Sequence, residues 1–521
     1  MAATRLTPLS KIILVLLLMG AIFFAFLKLG DAGLLERFGI GGGDGDGAEA
    51  RSSRGGGGGD DETINIGVVT WGGYAGGQYF NRGFDANETS RYFQEYGFKV
   101  DFEVIDDFDA SREAFKNGSI DLMWATIDAF PTEANGLADY EPQVVFQADW
   151  SRGGDAIVAR RGISSVADLR GKKIAVAPLT PSHSFLIWML DAGDMAMSDI
   201  ELVEVPSAID AADAFKSNTV DAAVVWSPDD ADCVAKVPGA RVLTSTKEAT
   251  NIIADVFVAK KAYVEANKAK LQQLYEGWMR GAAELNASDD AKRVAAAILA
   301  EGLAQPEDFC YDAINNVRLA THGDNLNFFG LNPDYRGVTG EELYNKMKVK
   351  YDQLGYGTGD ARSWRLISTP DLVRRTSLTD AGSAAEGGTD FAPATDADRT
   401  SAAISSKKVS INFATGQYRL DENAKRILDE QVVPIAKAFG NARLRVEGNT
   451  DDTGTRATNV RLSEQRARAV ADYLASEHGM NRNRFVVVGN GPDKPVDGCA
   501  GVTTERCRAQ NRRTDFELVA N

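Results

Sequence analysis

Histidine and cysteine are scarce. The chain of 521 residues carries three histidines (His183, His322, His478) and four cysteines (Cys233, Cys310, Cys499, Cys507). No two histidines, and no histidine with a cysteine, lie at metal-ligand spacing. A zinc enzyme or a histidine-rich catalytic site is therefore not expected, and neither a metal nor a cofactor is assigned. Positive charge is also in deficit, with 57 Lys and Arg against 74 Asp and Glu and a formal net charge of −17. Neutralising phosphates needs clustered Lys and Arg, so no nucleic-acid partner is expected. The 51 glycines follow no G-X-Y period, which excludes collagen. The remaining composition, 25% charged and 44% hydrophobic, is that of folded protein. Such a length suggests two to four domains.

Long apolar runs are limited to one. Residues 12–27 (IILVLLLMGAIFFAFL) are uncharged and almost wholly apolar, and Lys28, Leu29 and Gly30 follow. With tilt and a snorkelling Lys28, residues 12–30 just reach across a hydrocarbon core of ~30 Å. A cleaved signal peptide is the competing reading. No small-x-small site directly follows the run and no lipidation cysteine occurs there, so residues 1–31 are expected to be a cytoplasmic start and uncleaved transmembrane anchor. Arg5 and Lys11 precede the run, which favours a single pass through a bacterial inner membrane with the bulk of the chain in the periplasm. The run holds no Asp, Glu or His, the usual mark of ion-driven motors.

Two stretches cannot pack a core. Residues 32–62 include GGGDGDGAEARSSRGGGGGDDE, and residues 376–407 are rich in Ala, Ser, Thr, Gly and Asp. Both read as flexible linkers. They leave a middle block, 63–375, and a C-terminal block, 408–521. The C-terminal block has 18 Lys/Arg against 15 Asp/Glu, so the acidic surplus lies ahead of it.

The middle block alternates short apolar runs with helical patterns. Strands are expected at 64–69, 98–105, 120–125 and 144–146, then at 156–159, 173–177, 202–205 and 220–226. Helices near 184–194 and 208–217 fall between the later strands. Alternation of this kind indicates a mostly parallel sheet covered on both faces. Ala114-Phe-Lys-Asn-Gly-Ser-Ile-Asp121 recurs one hundred residues later as Ala214-Phe-Lys-Ser-Asn-Thr-Val-Asp221. Each copy sits in its own strand–helix series, which favours two similar α/β lobes.

The middle block resembles the periplasmic solute-binding proteins of ABC importers, of the nitrate/sulfonate/taurine type. The likeness is carried by Asp155-Ala-Ile-Val-Ala, by Ile163-Ser-Ser-Val-Ala-Asp-Leu-Arg-Gly-Lys-Lys-Ile-Ala-Val, by Val225-Trp-Ser-Pro and by Asp255-Val-Phe-Val. It implies two lobes, about 63–150 with 250–355 and about 155–245, closing on a small solute, with an ABC permease or another envelope protein as partner. Ligands of open α/β sheets bind beyond the carboxyl ends of strands. That rule nominates Trp71, Gly72, Gly73 and Tyr74, then Thr126 and Asp128, then Trp226 and Asp229. Ser182, His183 and Ser184 follow Pro181 at a helix start, where free N–H groups can hold an anion. Structural readings stand beside these: Trp226 as a core residue, Asp229 as a helix N-cap and His183 as a polar residue near a helix start.

The C-terminal block predicts a small α/β sandwich, with strands at 409–413, 442–446, 485–488 and 514–519 and helices over 420–439 and 458–478. It resembles the OmpA/MotB-type peptidoglycan-binding domain through Gly448-Asn-Thr-Asp451, Gly454, Asn459-x-x-Leu-Ser463-x-x-Arg466-Ala, Gly489 and Asn511-Arg-Arg513. Asn449 stands where the family usually has histidine. The resemblance implies that Asp451 meets the ammonium and Arg466 the carboxylate of the diaminopimelate in a stem peptide, with Asn459 on the same helix face. Cys499 and Cys507 are expected to form a disulfide outside the cytoplasm.

Three functions fit in different degrees. The first is a membrane-anchored periplasmic solute binder tethered to peptidoglycan and serving transport or envelope sensing. The alternative is a structural envelope tether or stator-like subunit whose middle block is a spacer or an interaction module. An enzyme is not expected, because no catalytic constellation is present.

Overall fold

The computed structural model describes residues 62–521 apart from 412, 414 and 415. The expected anchor, with its span at residues 12–30, lies outside the described residues. Among the described residues no helix is long and apolar enough to cross a membrane. The two longest, Lys268–Ala287 and Arg456–His478, carry charge along an exposed face and bury the other. The transmembrane helix, the single-pass inner-membrane topology and the membrane as a partner through residues 12–30 are therefore corrected: the described structure offers them no support.

Two alternating strands and two that are buried along their whole length open the first sheet. Its strands are β1 (Thr63–Val68), β2 (Lys99–Val104), β3 (Leu122–Thr126) and β4 (Pro142–Ser151). The chain then crosses to a second sheet of β5 (Asp155–Ala159), β6 (Lys173–Val176), β7 (Glu201–Glu204), β8 (Ala222–Trp226) and β9 (Arg241–Ser245). It returns with β10 (Ala254–Lys260) and later adds β11 (Val317–Leu319). The strand orders are β11-β4-β10-β3-β1-β2 and β7-β6-β8-β5-β9. The expected mostly parallel arrangement is corrected to mixed sheets. β1 runs parallel to β2 and β3, but β10 is antiparallel to both its neighbours, and so is β5. β5 and β10 each open where the chain has just crossed from the other sheet, and each runs against its new neighbours.

The hundred-residue echo extends into the pairing register. Asp155 pairs with Trp226 and Ala159 with Ala222, while Asp255 pairs with Thr126 and Ala259 with Leu122. Asp121 accepts the backbone N–H of Asn65 at the start of β1, and Asp221 accepts that of Lys173 at the start of β6. Arg160 donates to carbonyls of Phe215 and Val220, and Lys260 to that of Lys116, each cation lying over the phenylalanine of its helix. Two copies of one strand–helix unit thus sit with their strand ends turned toward the crossings.

The two crossings run side by side. The Ser151 and Thr246 hydroxyls lie 2.9 Å apart, and Gly153 N–H donates to Thr246 Oγ1 at 2.7 Å. After β10 the helices Lys268–Ala287, Asp289–Leu303 and Glu307–Asn315 cover the first sheet through Leu271, Trp278, Leu299 and Ile314. The helix Gly340–Gln353 reaches the second sheet's helix Pro181–Ala192, where Tyr351 OH meets Ser184 Oγ at 2.8 Å.

The third sheet has the order β12-β15-β13-β14, from β12 (Ala403–Val409), β13 (Arg443–Asn449), β14 (Phe485–Gly491) and β15 (Thr514–Val519). β12 lies ahead of the strand expected at 409–413. Its polar AISSKKV run shows little strand signal and is held by pairing with β15. The helix expected over 420–439 is two, Glu422–Gln431 and Val433–Ala438, with Pro434 in the first turn of the second. The helix Arg456–His478 packs so closely on β13 that a Cβ at Gly448 would lie 2.2 Å from the Ser463 carbonyl oxygen.

Residues 376–402 hold little regular structure but are fastened along their length. Glu386 pairs with Arg152 at 2.6 Å and donates its backbone N–H to Asp324 Oδ1, while Arg445 donates to the carbonyls of Asp398 and Ser401. The C-terminal block docks on the middle one. Lys407 joins Lys346 and Lys350 around Asp191, Lys437 pairs with Glu342 at 3.0 Å, Asn251 N–H donates to Ala438 O, and Asn441 donates to Lys247 O. Burial opposes ionisation of Asp191, yet the three ammoniums hold its carboxyl down at about 2.

Candidate functional site

The strand-end residues converge on the crossings, and most are buried. Trp71 Nε1–H donates to Asp149 Oδ2 at 3.0 Å, and Tyr74 OH donates to Asp255 Oδ2 at 2.6 Å. Gly72 and Gly73 serve close approach. A Cβ at Gly72 would lie 2.4 Å from the Ala313 backbone, and one at Gly73 would lie 1.4 Å from Asp149 Oδ2. Trp71 lies against Gly154, where a Cβ would come within 2.0 Å of the ring. Thr126 is buried in the register pair with Asp255.

Asp128 is fully buried, and neither carboxylate oxygen has a hydrogen-bond partner. The Ser184 hydroxyl lies beside it but bonds Tyr351. Ser182 and His183 are fully buried at the start of the helix Pro181–Ala192. His183 Nδ1 accepts from Leu179 N–H, which leaves Nε2 as an N–H donor without an acceptor; Ser182 Oγ is likewise unpartnered. Burial holds the His183 imidazole neutral, its pKa down at about 4. The half-buried Trp226 turns its indole N–H toward Asp155 without closing a full bond. Asp229 stands apart on the helix Asp229–Lys236, whose N-cap position is Pro228, so Asp229 does not cap it.

Three carboxylates that strand-end reasoning passed over complete the cluster. Asp149 lies on β4, and Asp155 and Asp255 are the first residue of β5 and the second of β10. Burial and the neighbouring Asp255 push Asp149 well above the carboxylate range, against the Trp71 bond. Burial lifts Asp155 to about 7, opposed by Ser151, whose hydroxyl donates at 2.8 Å. Burial likewise lifts Asp255 to about 7 against its Tyr74 bond, and Asp155 adds to the rise. The signal was available: Asp155-Ala-Ile-Val-Ala and Asp255-Val-Phe-Val-Ala stand at the same hundred-residue spacing as the helix echo.

The C-terminal site is built at the end of β13. Arg512 Nη1 donates to Asp451 Oδ2 at 2.7 Å, and Thr453 N–H to Asp451 Oδ1 at 3.0 Å. Burial opposes these bonds, but they hold the Asp451 carboxyl below its ordinary range. Asn459 donates to the carbonyls of Asp451 and Thr453 and so fixes the turn. Arg466, 7% exposed, donates from Nε to Gln417 O at 3.0 Å and lies over the Phe413 ring. Burial lowers its pKa, and the charge of Asp451 works against that. Asn449 faces away into a buried network with Asp515 and Asn490. Arg512, half-exposed, is the additional charged residue of this site. Cys499 and Cys507 form a disulfide with Cα atoms 5.3 Å apart, whereas Cys233 and Cys310 are free and buried.

Residues 61–300 match the NMT1-like family, and residues 412–509 match the OmpA family. Curated relatives match the C-terminal block. The peptidoglycan-associated lipoprotein of Rhizobium meliloti is 37% identical over 103 residues, 20% of this chain and 56% of that protein. Outer membrane porin F of Pseudomonas aeruginosa is 34% identical over 113 residues, 22% of this chain and 31% of that protein. The chain thus spans about half or less of the relatives it matches. The second is named for the outer membrane, which departs from the expected inner-membrane topology. Among solved structures, the periplasmic aliphatic sulphonate binding protein SsuA of Escherichia coli is 19% identical with a TM-score of 0.47, covering 61% of this chain and 100% of that one. The desulfurization enzyme DSZB is 14% identical with a TM-score of 0.41, covering 60% and 98%. At such values no activity transfers from either. The free thiols Cys233 and Cys310 are pushed up to about 11 by burial, so neither supplies a thiolate. Among the described residues no His/Cys/Asp/Glu group could hold a metal.

Proposed function

We propose that the chain is a periplasmic solute-binding protein joined to a peptidoglycan-binding domain, in a transport- or envelope-related role. The observation that carries the wall-binding half is the juxtaposition of Asp451, held ionised on a turn clamped by Asn459, with the buried guanidinium of Arg466. A zwitterionic diaminopimelate centre needs one anion and one fork-shaped donor held apart. The match of residues 412–509 to the OmpA family supports this reading. The solute half rests on strand ends of two echoing lobes meeting at a pair of crossings, the place where α/β proteins hold small ligands.

The test is co-sedimentation of the full chain with isolated diaminopimelate-type sacculi. The wild type should pellet, and Asp451→Ala and Arg466→Ala should each lose ~2–5 kcal/mol of binding and stay in solution. If both variants pellet as the wild type does, these residues are not the grip.

A further inference from the structure

The carboxylates beside the crossings are short of positive charge. Asp149, Asp155 and Asp255 are 0–4% exposed and are contributed by β4, β5 and β10, the strands that flank the crossings. No basic side chain bears on Asp155 or Asp255. Asp149 feels Arg152, whose Nη2 is engaged by Glu386 while its buried Nη1 has no hydrogen-bond partner, and this is the one cation bearing on the three carboxylates. Arg112, near Tyr74, is committed to Glu133 through two hydrogen bonds. The other groups beside the carboxylates are the neutral hydroxyls of Tyr74, Ser151, Ser184 and Tyr351.

Asp128 is a separate observation. It comes from the loop after β3, has no exposed surface and leaves both oxygens without a partner, with Asp155 and Asp255 as its charged neighbours. A buried carboxylate without a donor is costly, and native proteins rarely leave one unless a ligand completes it. The indole N–H edges of Trp71 and Trp226 point to Asp149 and Asp155, which brings both rings to the same carboxylates. Indole faces attract cations and reject anions. A bare metal ion does not suit the spacing, since among the described residues no group of three ligating side chains converges.

We propose that the solute taken between the lobes is a small organic cation, its ammonium seated at the unpartnered carboxylate of Asp128 with Asp155 and Asp255 nearby. The inference rests on the solute-binding reading and names its ligand class. The unpartnered donors Ser182 Oγ and His183 Nε2 supply two neutral contacts for an acceptor elsewhere on the same molecule.

The test is thermal shift and titration calorimetry on the full chain, with 1,4-diaminobutane, choline and arginine as ammonium probes. Nitrate, methanesulfonate and calcium chloride form the opposing arms. At least one ammonium probe should raise the midpoint at pH 8, and its affinity should fall tenfold or more at pH 5.5 as the carboxylates gain protons. Asp128→Asn should weaken that probe at least tenfold. The pH response of the wild type reads the same point if this variant does not fold. A response to anions alone, or to calcium alone, overturns the cation while leaving a solute-binding protein. Silence from every probe overturns both the cation and the solute-binding reading in favour of a spacer.

Discussion

Asp155→Asn should stabilise the protein in alkaline solution and not in acid. The carboxyl sits at about 7 in the folded chain against an ordinary value of 3.8, because burial penalises its charge. A folded pKa raised above the unfolded one means that the native state holds the extra proton between the two values. Stability contributed by this group is therefore full below pH 4 and lost as pH rises toward 8. Roughly three pH units at about 1.4 kcal/mol each gives ~4 kcal/mol of strain once the group is ionised. Asparagine keeps the shape and an acceptor for Ser151 Oγ, which donates to Asp155 at 2.8 Å. Weakening of that bond and of the Trp226 approach offsets ~1–2 kcal/mol. The expected gain is ~2–3 kcal/mol at pH 8, a rise of several degrees in the melting midpoint of the middle block, and no gain at pH 4.5. Differential scanning calorimetry of both proteins at the two pH values reads this directly. A variant destabilised equally at both would mean that Asp155 acts as a neutral hydrogen-bond acceptor and that its charge is not strained.

Two further outcomes follow from close contacts in the C-terminal block. Gly448→Ala should cost at least ~2 kcal/mol, because the added Cβ would meet the Ser463 backbone oxygen at 2.2 Å and neither strand nor helix can yield cheaply; urea unfolding of the C-terminal transition measures it. Arg512→Ala frees the Asp451 carboxylate from a 2.7 Å bond, so pelleting with sacculi at pH 7.5 should be at least as strong as for the wild type, in contrast to Arg466→Ala. Loss of pelleting equal to that of Asp451→Ala would make Arg512 part of the grip.

The echo and the OmpA-type landmarks are legible in the sequence for a local reason. Ala114–Asp121 and Ala214–Asp221 repeat a helix end, a turn and a strand within eight residues, and the Gly448-to-Arg513 landmarks are side chains in fixed order. What escaped depended on distant pairing. β12 is polar and exists because β15 offers it an edge. The antiparallel course of β5 and β10 follows from crossings whose direction no local pattern records. The strand-end rule looks past the carboxyl ends of strands and so nominates Asp128 and Trp226, whereas Asp155 and Asp255 sit at the opposite ends of antiparallel strands. The same rule nominates Gly72 and Gly73, and the space they leave is occupied by Ala313 and Asp149.

The docking contacts fall on the hinge. Glu386 engages Arg152 in the first crossing, while Asn441 bonds the Lys247 carbonyl and Ala438 O accepts from Asn251 N–H in the second. On the proposed solute-binding reading, parting of the two lobes turns the chain at its crossings, so the surface that receives the C-terminal block changes with it. Any such link acts in both directions, because a coupling free energy is shared by the two sites. Lys407→Ala with Asn441→Ala removes one ammonium from Asp191 and one bond from the second crossing without touching Asp128, Asp451 or Arg466. Two partly exposed polar contacts are worth ~1–2 kcal/mol, so the double variant should alter the affinity for an effective solute probe by roughly fivefold to thirtyfold. The wild type should show a change of the same kind when it is held on sacculi. Calorimetric affinities that match in all three states would mean that the docked block rides passively on a hinge that does not move.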